Sequence, residues 1–119
     1  MNLSRVDCGR VLIVGCVALV LPLLASAVAV ADVAPVNDVA PSVSGSTRPA
    51  QTLTADPGTW SGTAPITYGY QWRRCDDSGA SCADIMGATA ATYLTADSDL
   101  GGTLRVVVTA TNAAATRWT

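Results

Sequence analysis

Two stretches of strict alternation constrain this chain more than any other feature. In the first, Ile66, Tyr68, Tyr70 and Trp72 fall on one parity, and Thr67, Gly69, Gln71 and Arg73 on the other. In the second, Leu104, Val106, Val108 and Ala110 alternate with Arg105, Val107, Thr109 and Thr111. Successive side chains of an extended strand point to opposite sides, so a period of two predicts two long strands, each burying one face. Trp72, Leu104 and Val106 are thereby core candidates.

Helix has no comparable signal. The chain contains no Lys and no Glu, and its alanines are interspersed with threonines without a stripe of period 3.6. Shorter strand candidates are Pro41 to Gly45, Gln51 to Ala55, Ala83 to Met86 and Ala91 to Thr95. Asp56-Pro57-Gly58, Asp77-Ser78-Gly79 and Gly101-Gly102 separate them with turn chemistry, glycine supplying positive φ and Pro or Asp starting the bend. Six or seven short strands without intervening helix predict an all-β, antiparallel sandwich or barrel, of which the sandwich is the expectation.

The N-terminal third has a different character. Arg5 and Arg10 precede a run from Val11 to Ala31 that carries no charge and ends on Ala29-Val30-Ala31. Basic, then apolar, then small-x-small is the order of an export signal, so residues 1–31 are read as a signal peptide with Asp32 as the first mature residue. Ala27-Val28-Ala29 is the alternative cut. Retained, the run is long enough to serve as a membrane anchor. Ile13-Val14-Gly15-Cys16 loosely resembles a lipobox, but too few apolar residues precede Cys16. The expected location is secreted or cell surface, with membrane contact only through an uncut signal. Residues 32–41, with Pro35 and Pro41, are expected as an extended Pro/Ala-rich linker, and 42–119 as one small domain.

Beyond the signal, five Arg stand against eight Asp, a net charge of minus three. That gives no basic footprint for phosphates, and nucleic acid is not an expected partner. Cys8 and Cys16 leave with a cleaved signal, and Cys75 and Cys82 remain. A lone nearby pair in an oxidising compartment is a disulfide by default, and closing that short ring contributes about 2.5 kcal/mol in the chain-entropy treatment. Two free thiols are the alternative. Zinc would need more ligands, and the chain has no His.

The missing histidine also removes the commonest general base, and no catalytic residues, metal or cofactor are expected. Asp76 and Asp77 are adjacent carboxylates inside the Cys75–Cys82 loop, but read better as a solvated turn. Asp97-Ser98-Asp99 offers alternating oxygen ligands, without the downstream acid and glycine spacing of a calcium loop. Arg73 and Arg74 read as the solvated end of a strand. Trp60 and Trp118 are the candidates for stacking on a ligand; the competing reading has Trp60 capping a thin core and Trp118 covering a sheet edge.

Several short runs occur in a recognisable order: Leu53-Thr54-Ala55, Gly58-Thr59-Trp60, Tyr70-Gln71-Trp72-Arg73-Arg74-Cys75, and Ile85-Met86-Gly87-Ala88-Thr89. Tyr93, Asp99-Leu100-Gly101 and Leu104 to Asn112 follow. This ordered set resembles the immunoglobulin-like repeats of bacterial secreted and cell-surface proteins. The resemblance implies a sandwich of about seven strands, usually one unit of a tandem array, serving as spacer, scaffold or adhesive module without catalysis. It puts Trp72 between the sheets and Leu53 and Val106 near the sites of the antibody inter-sheet cysteines. It has Cys75 and Cys82 tie the ends of a hairpin around Asp76 to Ser81.

Three departures stand out. Pro49-Ala50 replaces a common glycine, Ala113 to Thr119 leaves only a stub for the last strand, and a single repeat is present. The expected partners are an extracellular protein or polysaccharide. The alternatives are a carbohydrate- or surface-binding module using Trp60 or Trp118, and a truncated remnant of a longer array.

Overall fold

The computed structural model describes residues 25–119. Residues 1–24, most of the segment expected as a signal peptide, with Cys8 and Cys16, lie outside the described residues. Among the described residues no helix is long and apolar enough to cross a membrane, which says nothing of strands.

The described residues are all-β apart from one 3₁₀ turn at Asp97–Asp99. In order the strands are β1 (Val36–Val39), β2 (Ser42–Ser44), β3 (Thr52–Asp56), β4 (Thr59–Ser61) and β5 (Thr67–Cys75). Then come β6 (Ala83–Asp84), β7 (Thr92–Leu94), β8 (Thr103–Thr111) and β9 (Thr116–Trp118). Every pairing is antiparallel. The strands form a β1-β4 ribbon, a β2-β3-β7 sheet and a β6-β5-β8-β9 sheet.

The two alternating stretches are the longest strands, β5 and β8, and they pair without interruption from Thr67 opposite Thr111 to Cys75 opposite Thr103. Their even-numbered residues face inward. Trp72, Val108 and Ala110 are fully buried. Leu53 and Ala55 of β3 and Trp72 of β5 come from different sheets and share one buried cluster, against which Tyr70, Ile85, Tyr93, Leu104 and Val106 pack. All four core candidates therefore sit in or against this cluster. Burial fades toward the start of β5, where Tyr68 is 39 % exposed and lies beside Trp60.

Residues 32–41, expected as a linker, instead contain β1. Asn37 pairs with Trp60 and Val36 with Ser61, and the compact unit runs from Ala31 to Thr119. Alternation could not reveal β1, because Val36 and Val39 are both exposed. Polar bridges hold it instead. The Asn37 amide donates to the Val39 and Thr59 carbonyls, and the Ser61 hydroxyl to the Asp38 carboxylate. Gly58, at φ +75°, turns the chain where any side chain would collide with the Val39 carbonyl.

Other boundaries shift for identifiable reasons. The strand expected over Ala83 to Met86 ends at Asp84, because Ile85 to Ala88 closes a turn in which Ala88 N–H donates to the Ile85 carbonyl. Ala50, where the resembled repeats commonly carry glycine, adopts φ +59° and leads into β3. The stub after Asn112 does form a strand. β9 pairs with β8 over three residues, and Thr119 exchanges two further backbone bonds with Val108.

Candidate functional site

The three groups of polar residues singled out above have different fates. In the Cys75–Cys82 loop the cysteines are bonded, their Cα atoms 3.9 Å apart, one step beyond the Arg74–Ala83 pair of the β5–β6 hairpin. The Asp76 carboxylate accepts hydrogen bonds from the Ser78 N–H, the Ser78 hydroxyl and the Ala80 N–H at 2.7–3.0 Å. Those bonds, the Ser78 hydroxyl first, hold Asp76 below the usual carboxylate range. Asp77 remains exposed. The pair is a turn whose first carboxylate organises its own loop, with no arrangement for acid–base exchange.

Arg74 departs from expectation, and Asp99 is a structural turn residue just before β8. Arg74 is more than a solvated strand end: its side chain, though 35 % exposed, shares the parity of Trp72, and its Nε donates to Asp99 Oδ1 at 2.6 Å while Nη2 reaches the Ser98 hydroxyl. Asp99 is 5 % exposed, and its other oxygen accepts from the Tyr93 hydroxyl at 2.9 Å and the Ala96 N–H at 2.8 Å. Both carboxylate oxygens are thus committed to protein donors, which removes the calcium reading of Asp97-Ser98-Asp99. Among the described residues no group of three potential metal ligands converges. Burial pushes the Asp99 carboxyl up, but the Ala96, Arg74 and Tyr93 donors outweigh it and hold it below the ordinary range. Asp99 raises Arg74 in turn, and burial followed by Asp99 raises Tyr93. Tyr93 also stacks on Trp72 at 5.5 Å, so the ion pair and the core form one continuous structure.

The tryptophans separate sharply. Trp72 is sealed, its indole N–H donating to the Ala90 carbonyl at 2.9 Å. Trp60 is half-buried, its N–H bound to the Pro57 carbonyl at 2.8 Å and its ring 6.5 Å from Tyr68. Its polar edge is spent inside the fold. Trp118 lies on edge strand β9, opposite Thr109, and is 76 % exposed.

No family model, curated protein or solved structure matches this chain.

Two features escaped the sequence. Beside β7 an open concavity of about 280 Å³ is lined by Ile85, Met86, Ala88, Tyr93 and Leu94, with Met86 almost wholly exposed. Its only sequence signal is an apolar pair inside a turn, Ile85-Met86 before Gly87. The other is Asn112, whose amide donates to the carbonyls of Val33 and Thr63 and whose oxygen accepts from Ala114 and Ala115. One side chain thereby joins the N-terminal segment, the loop before β5 and the β8–β9 turn. A lone Asn after a strand carries no mark of such reach.

Proposed function

We propose that this protein is a non-enzymatic extracellular module, an immunoglobulin-like sandwich acting as a structural or interaction unit. Strand order carries the reading. In immunoglobulin-type sandwiches strands A, B and E share one sheet while C, F and G share the other, an added C′ joining the latter. Lettered along the chain, β2, β3 and β7 correspond to A, B and E, and β5, β6, β8 and β9 to C, C′, F and G. Trp72 then lies on C, Leu53 on B and Val106 on F, the positions that the resemblance implies.

The export-type N terminus and the Cys75–Cys82 bond support an oxidising, extracellular setting. Asp76 and Asp99, each committed to internal donors, favour a binding or spacer role over catalysis.

Intact-mass analysis of the exported chain tests location and covalent state together. The expected product begins at Asp32 and is lighter by the two hydrogens of one disulfide. Retention in the cytoplasm with free thiols overturns the extracellular reading. A helix-rich circular dichroism spectrum overturns the fold, and turnover of a hydrolase substrate that Asp76→Asn abolishes overturns the non-enzymatic role.

A further inference from the structure

Gly69 is the residue of β5 that the fold leaves without a reason. Glycine inside a strand weakens it, and marks a bulge, a close backbone neighbour or the approach of a ligand. No bulge is present, since β5 pairs with β8 in unbroken register through the Gly69–Thr109 pair. The position does not use the left-handed conformation. A Cβ there would meet nothing nearer than the Thr109 Cβ at 4.0 Å, so the position has room for a Cβ.

What surrounds that bare backbone points outward as well. Directly paired residues share a face, so Gly69, Thr109 and Trp118 form one row across three strands, with the exposed indole at its end. Thr67, Thr111 and Thr116 form the row on one side, the last two hydroxyls 3.1 Å apart. Gln71 and Val107 form the row on the other, and Arg73 and Arg105 the next. Asp84, beside Arg73 on β6, is neutralised by it at 2.7 Å. Arg105 has no carboxylate within ion-pair distance among the described residues. Four residues of strand separate the backbones of Arg105 and Thr109, roughly 13 Å, and the Arg105 guanidinium lies farther out, against Gly79 of the Cys75–Cys82 loop, so an oligosaccharide of several residues is needed to span the distance.

We propose that this outward face of β5, β8 and β9 binds an acidic glycan. One sugar ring stacks on Trp118, the glycan runs across Thr109 toward the open backbone at Gly69, its hydroxyls meet the threonines, and a carboxylate farther along pairs with Arg105. The indole offers the flat apolar surface that a ring face needs, and the guanidinium the forked donors that suit a carboxylate. A protein partner fits less well, because Val107 is the only aliphatic side chain in these rows, and stable interfaces bury an apolar centre. The inference rests on the extracellular reading, since it needs a glycan outside the cytoplasm.

Affinity electrophoresis of the full chain in gels containing polygalacturonate, with a neutral glucan as control, tests it. The expected result is retardation by polygalacturonate alone, relieved by salt. Trp118→Ala and Gly69→Val each weaken it about tenfold, Arg105→Gln weakens it less, and Trp60→Ala leaves it unchanged. Gly69→Val is the decisive variant, because it keeps or raises the melting temperature while blocking the face. No retardation, equal retardation by neutral glucan, or retardation indifferent to Trp118→Ala and Gly69→Val overturns the proposal. A strand-type circular dichroism spectrum in the same sample then leaves the module reading standing; a helix-rich one removes both.

Discussion

The two faces of the β5–β8 pair are built from alternate residues of the same segments, yet follow opposite rules. Inward, each residue answers to a neighbour: Trp72 to Leu53, Ala55 and Tyr93, Arg74 to Asp99, Val108 and Ala110 to complete burial. Outward, apart from Gln71 and Val107, the side chains are small, hydroxylated or cationic, and Gly69 leaves room for a Cβ. Because a strand sends neighbours to opposite sides, stability and recognition can be set independently within one segment. Cys75 is the exception, an outward-parity residue that is buried because the loop from Asp76 to Cys82 folds over it.

The largest test of this contrast is Trp72→Ala against Trp118→Ala. Removing the buried indole is expected to cost about 3–5 kcal/mol in a denaturant titration, whereas the exposed one changes stability by no more than about 0.5 kcal/mol. Equal effects would erase the distinction between the faces. Next comes the covalent closure: Cys75→Ser with Cys82→Ser is expected to cost about 2.5 kcal/mol, read as a lower melting temperature under non-reducing conditions.

The inward charge follows, with Asp99→Asn expected to cost about 2 kcal/mol by weakening its bonds to Arg74, Tyr93 and Ala96. Its pH signature has a definite sign. The folded carboxyl lies below its unfolded value near 4, so its stabilisation is present above that pH and is lost as pH falls through the lower folded value. An acid titration of the melting temperature should therefore drop below about pH 4 in the wild type and less steeply in Asp99→Asn. The smallest effect has the opposite sign. Gly69→Val is expected to stabilise by up to about 1 kcal/mol, since a β-branched residue suits an open strand position better than glycine. A destabilised Gly69→Val would mean that packing, rather than a ligand, dictates the glycine.

Much of the core was legible because burial imprints a period on the chain. Leu104, Val106 and Trp72 announced themselves by alternation, and Leu53 by the ordered runs around it. The candidate binding face was legible only in part: Trp118 stood out as an aromatic near the end of the chain, but nothing local showed that Gly69 lies two strands away in the same row. Arg74 read as solvated because its partner lies 25 residues downstream. β1 read as linker because its fixing bonds come from Thr59 and Ser61, beyond the turn at Gly58.

By itself, then, the sequence determined the strand class, the inward face of the two long strands and the Cys75–Cys82 pair. These depend on neighbours in the chain or on residue type, and local periodicity records them. Tertiary structure decided that Asp99 meets Arg74, that Asn112 joins three segments, that residues 36–39 form a strand, and that exposed Trp118 shares a row with Gly69 across Thr109. Each depends on register between distant strands, which no local pattern encodes.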